Sequence, residues 1–361
     1  MRFVDEFRSP ALARPVLEQL RRFTGRPLTV MEFCGTHTMA IARYGLRSIL
    51  PPELHLLSGP GCPVCVTSPG YIDAAVGLSR EKGVILTSFG DMLRVPGTTG
   101  SLMQAKAEGK DIRVVYSPLD AVRLAQHNPR NHIVFLGVGF ETTAPVVGLS
   151  ILEAARLGLD NYSVFSAHKL VLPALQLLAA DTGLQLQGLL CPGHIAAVTG
   201  VEPFRLVAEL SGIPAVIAGF EVLDIIQGLL KLTHLVQKGS RQVSNSYSRV
   251  VRPEGNGKAL EVMARVFFVG TGWWRGLGPI PQSGLTIRDE YCHYDSGRIF
   301  GLPPMKNTEN KSCHCGEVLT GRKIPPECPG FGTICTPQHP QGACMVSGEG
   351  ACAAYYHYGS N

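Results

Sequence analysis

The sequence predicts an α/β protein with two parallel-sheet α/β lobes facing a cleft, plus a small Cys-rich domain. Three observations carry that expectation. Short apolar runs alternate with stretches of helical period along most of the chain, the pattern of βαβ units whose sheets are covered on both faces. At 361 residues the chain is too long for one ordinary doubly wound sheet, and a triplet recurs, as Gly139-Phe-Glu141 and Gly219-Phe-Glu221, each time between an apolar run and a helix. Six of the eleven cysteines fall between Cys313 and Cys352, in a Gly- and Pro-rich stretch that cannot bury a core of its own.

In order, residues 1–26 read as an amphipathic helix, with Phe3, Phe7, Leu12, Val16 and Leu20 at roughly helical spacing. After the Gly25-Arg-Pro27 break, residues 28–33 form a β-type run that ends at Cys34. Further apolar runs lie at 54–57, 84–86, 112–116, 133–136, 162–165, 187–190 and 214–218, with helical periodicity at 70–81, 118–127, 144–157, 170–180 and 203–210. Residues 240–260 are a polar break. Residues 260–269 read as a helix or strand returning to a lobe. Residues 270–284, with Trp273-Trp274-Arg275 and Pro279-Ile-Pro281, read as a linker into the Cys-rich region. The expected division is 27–135 for the first lobe, with 260–272 as a candidate return to it, and 136–240 for the second. Residues 1–26 and 280–361 make the Cys-rich domain with an N-terminal helix.

The N-terminus has no long apolar region and no cleavage pattern, and no apolar stretch reaches the ~18 residues of a membrane span. The chain therefore reads as cytoplasmic, with no membrane partner. In that compartment thiols stay reduced, so clustered cysteines point to metal or redox chemistry rather than structural disulfides. A net charge of +5 with dispersed arginines argues against nucleic-acid binding.

Nearly all the unusual chemistry follows an apolar run, at the carboxyl ends of strands, where open parallel sheets collect their ligand sites. The turns are Cys34-Gly-Thr-His37, Gly59-Pro-Gly-Cys62-Pro-Val-Cys65, Phe89-Gly-Asp91, Gly139-Phe-Glu141, Ala167-His168-Lys169, Cys191-Pro-Gly-His194 and Gly219-Phe-Glu221. Cys62 and Cys65 can close a disulfide or share a metal, and no second C-x-x-C exists to complete a zinc knuckle. Two C-x-x-H turns beside them offer thiolate and imidazole, a donor set suited to iron, zinc or copper, with Cys34 placed as nucleophile or ligand. His194 and His168 are equally compatible with structural hydrogen bonding. Asp91, Glu141 and Glu221 are compatible with orienting an imidazole or capping the next helix. In the tail four thiolates suffice for a [4Fe–4S] cluster, with two to spare, and the spacing favours a cluster over zinc.

Taken together these motifs resemble the HypD family, the iron–sulfur scaffold in [NiFe]-hydrogenase maturation. The resemblance runs over essentially the whole chain. It rests on Phe33-Cys-Gly-Thr-His-Thr38, Gly59-Pro-Gly-Cys-Pro-Val-Cys-Val66, Phe89-Gly-Asp91, Gly137-Val-Gly-Phe-Glu-Thr-Thr143, Ser166-Ala-His-Lys169, Cys191-Pro-Gly-His194, and the tail from Cys313-His-Cys315-Gly-Glu317 to Met345-Val-Ser347 and Glu349-Gly-Ala-Cys352. It implies two α/β lobes and a small Cys-rich iron–sulfur domain. It also implies a redox-active scaffold, rather than a conventional turnover enzyme, on which an Fe(CN)2CO moiety is assembled. By the same resemblance Cys34 holds the iron jointly with a HypC-type small chaperone, and a HypE-type protein donates cyanide. Cys62 and Cys65 are then a nearby dithiol and His194 a cleft residue. The tail is similar to the cluster arrangement of ferredoxin:thioredoxin reductase, which implies Cys313, Cys328, Cys335 and Cys352 as [4Fe–4S] ligands and Cys315 with Cys344 as a thiol pair. Two rival readings are a cluster-dependent thiol–disulfide oxidoreductase acting on protein substrates and a zinc-stapled binding module.

Overall fold

The computed structural model describes residues 5–23, 25–302 and 312–359. Each apolar run expected as a strand is one: β1 (Leu28–Glu32), β2 (Leu54–Ser58), β3 (Val84–Ser88), β4 (Ile112–Val114), β5 (His132–Gly137), β6 (Tyr162–Ser166), β7 (Gly188–Pro192) and β8 (Ala215–Ala218). A short strand, β9 (Val243–Asn245), falls inside the expected polar break. They build two wholly parallel sheets, ordered β2-β1-β7-β8-β9 and β4-β3-β5-β6. Burial at every position of β3, β7 and β8 is why these strands read as unbroken apolar runs rather than alternating ones.

The chain starts the first sheet with β1 and β2, leaves it to build the second from β3 to β6, and returns with β7 to β9. The sheets therefore cut across the division expected at 135/136: β1 and β2 pair in the lobe of β7, whereas β3 to β5 share a sheet with β6. Periodicity identifies strands but not their partners. The returning strand β7 docks on the free edge of β1, with Val30 opposite Gly188. A side chain at Gly188 would crowd Val30 and Leu232 of the covering helix.

That helix, Val222–Gln237, packs Ile225, Ile226, Leu229 and Leu232 with Val30, Leu190 and Val216 in the core of the first sheet. The N-terminal helix Pro10–Arg21 adds Ala13 and Leu20 to the same core, so it belongs to this lobe and not, as expected, to the Cys-rich domain. Helix Gly257–Val266 packs on helix Ala144–Arg156 and sends Met263 and Val266 into the core of the second sheet. This is a return to the sheet that β3 to β5 build.

The stretch expected as a linker is an antiparallel hairpin, β10 (Phe267–Trp274) and β11 (Gly278–Ile287), irregular between Gly270 and Gly272. Its glycines and prolines conceal the strand pattern, and a two-stranded ribbon tolerates proline on its unpaired edges. Residues 280–287 thus lie in the hairpin and not in the Cys-rich domain. Trp274 anchors it: the indole N–H donates to Ser283 Oγ at 2.8 Å, and the ring stacks on Phe140 at 5.8 Å.

The tail, 312–359, has little regular structure beyond the helices Cys315–Leu319 and Ala351–Tyr358. Its Val318, Leu319, Met345 and Cys352 enter a core shared with Met31 and Leu189 of the first sheet and with Cys62 and Cys65. No helix among the described residues is long and apolar enough to cross a membrane.

Candidate functional site

Cys34 leaves β1 in an extended conformation and caps helix Gly35–Arg43. Its backbone N–H donates to Glu32 Oε2 at 2.9 Å, and the other carboxylate oxygen accepts from Thr38 Oγ1, so a wholly buried glutamate fixes the turn from beneath. Because β1 and β7 are parallel neighbours in register, their carboxyl ends deliver Cys34 and the start of helix Gly193–Thr199 to one place. There Cys34 Sγ lies 3.7 Å from His194 Nδ1.

The two C-x-x-H turns thus meet crosswise. The cysteine of one faces the histidine of the other, while their remaining members point elsewhere. His37 Nε2 donates to the Gly219 carbonyl at 2.8 Å, and Cys191 is buried within β7. Phe220 lies beside both imidazoles, 5.0 Å from His37 and 5.1 Å from His194. Burial dominates the electrostatics. It pushes the Cys34 thiol up to about 12, Glu32 up to about 7, and both His37 and His194 down to about 4. The site therefore holds a neutral thiol beside a neutral imidazole.

The Cys62-x-x-Cys65 loop lies directly against this turn. Gly35 N–H donates to the Gly61 carbonyl at 3.1 Å, and Gly61 has the Cys34 backbone where a side chain would go. From the opposite side the tail contributes Glu349, which accepts from Thr36 Oγ1 at 2.7 Å and sits over Gly35.

The sulfurs of Cys62 and Cys65 are 2.6 Å apart, and those of Cys315 and Cys344 are 2.7 Å apart, arrangements from which a disulfide forms with little movement. Cys65 Sγ also lies 3.9 Å from the carbonyl of Ala343, the residue before Cys344, which sets the two pairs side by side. Cys313 and Cys315 both lie against Gly342, two residues before Cys344, and Cys315, Cys335, Cys344 and Cys352 share one buried core with Cys62 and Cys65. The dithiol beside the Cys34 turn and the cysteines of the tail thus meet in one core.

Among the described residues no three His, Cys, Asp or Glu side chains already converge on one metal position; the thiols pair with one another instead. The donor set nevertheless fits an iron–sulfur group. Cys335 and Cys352 lie in one buried core with Cys313 packed against it, and Cys328 and Cys335 bound a loop folded back on itself, in which Cys335 N–H donates to the Gly330 carbonyl at 2.8 Å. All four are soft donors on a segment with few other means of holding its shape.

The remaining candidates fall outside this group. Glu221 caps the following helix and pairs with Arg8 at 2.7 Å. Asp91 is exposed. Glu141 accepts the Val171 N–H at 2.9 Å. His168 bonds Ser166 Oγ at 3.0 Å through Nδ1 and leaves Nε2 unpartnered, and burial lowers its pKa to about 3. Sequence reasoning missed Glu32, Glu349 and Arg275. A carboxylate inside an otherwise apolar strand and an arginine directly after two tryptophans were the available signals.

The HypD family model, described as "Hydrogenase formation hypA family", matches residues 11–359. The chain is 45% identical to "Hydrogenase expression/formation protein HupD" of Azotobacter chroococcum mcd 1 and 45% identical to "Hydrogenase maturation factor HypD" of Azotobacter vinelandii, in each case over 99% of this chain and 97% of the relative. It is 43% identical to "Hydrogenase maturation factor HypD" of Escherichia coli K12, over 99% of this chain and 98% of that one.

Proposed function

From the premise that this chain belongs to the HypD family and is a hydrogenase maturation factor, we propose that it is the scaffold on which the Fe(CN)2CO moiety of [NiFe]-hydrogenase is assembled. Iron is the cargo. Cys34 holds it jointly with a HypC-type small chaperone, and a HypE-type protein brings the cyanide. The observation that carries this reading is the crosswise meeting of Cys34 and His194 at 3.7 Å, beside a dithiol.

Iron carrying cyanide and carbon monoxide needs soft donors, which a thiolate supplies. Cys34 is a neutral thiol at pH 7, so binding iron displaces its proton. The neutral imidazole of His194 is the base within reach. Glu32 and Thr38 keep the Cys34 turn rigid while this happens. Cys62 with Cys65, and Cys315 with Cys344, each interconvert with a disulfide by exchanging two electrons and two protons. A [4Fe–4S] cluster held by Cys313, Cys328, Cys335 and Cys352 would supply electrons one at a time.

Infrared spectroscopy on the protein co-purified without air with its small chaperone tests the proposal, with Cys34→Ala beside the wild type. Cyanide and carbon monoxide bands are expected in the wild type and not in the variant. Bands that persist in the variant move the iron elsewhere. Their absence from a complex with verified iron and cluster favours the second reading, a cluster-dependent thiol–disulfide oxidoreductase, for which two close thiol pairs in one core speak. Thiol exchange that survives Cys34→Ala is that reading's signature.

A further inference from the structure

Arg275 sits on the turn between β10 and β11 and is only 5% exposed. Its backbone N–H donates to the Val66 carbonyl at 2.9 Å and its Nε to the Thr67 carbonyl at 2.9 Å, which locks it onto the chain leaving Cys65. The next residue, Gly276, is packed against Gly316, so the same turn touches the Cys313-His-Cys315 segment. Among the described residues no carboxylate pairs with the guanidinium, and its buried Nη2 has no hydrogen-bond partner. Arg275 shares this region with a second buried basic group, Lys169, whose charge it opposes. That residue is 4% exposed, pairs with no carboxylate among the described residues, and donates to the Ala167 carbonyl at 3.1 Å, and burial together with the Arg275 charge lowers its pKa to about 7. A buried guanidinium without an acid, near an ammonium already pushed toward neutrality, is unfavourable unless negative charge lies close by. Sulfur is the nearby group able to carry it.

We propose that Arg275, backed by Lys169, is a positioning residue that supplies the fixed positive charge setting the reduction potential of the iron–sulfur group in the tail. This rests on the reading of Cys313, Cys328, Cys335 and Cys352 as its ligands.

A one-electron reduction adds one negative charge to the group, and a buried cation favours the more negative state, raising the potential. Val66 and Thr67, which Arg275 binds, follow Cys65, and Gly316, which Gly276 meets, follows Cys315, so the charge lies beside one member of each thiol pair. The hairpin, the C-x-x-C loop and the tail converge on this one turn, so a single charge acts on both thiol pairs as well as on the cluster.

The experiment is a redox titration with dithionite of the full-length, anaerobically reconstituted protein, followed by visible absorption and electron paramagnetic resonance, in wild type, Arg275→Gln, Arg275→Lys and Lys169→Met. In Arg275→Gln the ratio of reduced to oxidised cluster at fixed potential should fall about tenfold, ~59 mV for one electron. Arg275→Lys, which keeps the charge, should recover most of that shift, and Lys169→Met should move the midpoint in the same direction by less. Unchanged midpoints in both charge-removing variants overturn the inference while leaving the scaffold reading intact. A wild type that takes up no cluster overturns the ligand reading and this inference with it. If Arg275→Gln does not fold, Lys169→Met against wild type decides, an unmoved midpoint counting against the proposal.

Discussion

Glu141 ends the turn after β5 with one carboxylate oxygen accepting the Val171 N–H at 2.9 Å and the other without a partner. Expected either to orient an imidazole or to cap the helix after it, it instead caps a helix farther along, Val171–Ala179. Burial raises its pKa from 4.5 to about 7. A carboxyl raised on folding contributes stability that is full below pH 4.5 and lost as pH rises through about 7, because the folded form then must either release the proton or bury a charge. The unfolding free energy of wild type minus that of Glu141→Gln should fall across that window by roughly 3 kcal/mol, as read from melting curves at successive pH values. Taking the difference removes the opposite contribution of His168, which burial lowers. A flat difference would show that Glu141 enters the fold already screened by water.

At the scale of elements, the turn after β1 and the loop before Cys62 are fitted backbone to backbone. Gly61 is where they touch, and a methyl group there would overlap the N and Cα of Cys34. Gly61→Ala is therefore expected to destabilise by about 1–3 kcal/mol, as overpacking does, and to separate Cys34 from the Cys62–Cys65 pair. Chemical denaturation reads the first effect and the rate of Cys34 alkylation in the native protein reads the second. The strands were legible because apolar runs, unbroken where burial covers both faces as in β3, β7 and β8, alternate with helical stretches, and the placement of reactive residues at strand ends followed from that alone. The hairpin was not, since Gly270, Gly272, Pro279 and Pro281 carry no alternation to read. Nor was the pairing of Cys34 with His194 across two similar turns, which depends on β7 lying next to β1. Local pattern names the residues of a site; the order of strands decides which of them meet.

On the scale of the whole molecule, the tail is part of the main core rather than an appendage. Val318, Leu319, Met345 and Cys352 share apolar contacts with Met31, Leu189 and the C-x-x-C loop, and Arg94 reaches from the second lobe to the Val346 carbonyl at 2.9 Å. A group that orders the tail must then stabilise both lobes, since whatever binds only the folded state shifts the entire equilibrium. Scanning calorimetry of reconstituted and chelator-treated protein should show the main transition itself moving to lower temperature on iron removal. A main transition left in place, with only a minor low-temperature event lost, would make the tail an independent unit. The excursion of the chain from β2 to β7 also sets an order of events on the ribosome. Residues 84–166 hold all four strands of the second sheet and can close as soon as they emerge, whereas β1 and β2 wait for β7. Through that interval Cys34 has been synthesised but His194 has not, and Cys62 and Cys65 lack the cover of residues 343–352. The sulfurs of the candidate site are among the first made and the last enclosed, so the nascent chain passes through a stage when its thiols stand open to oxidants and stray metal ions.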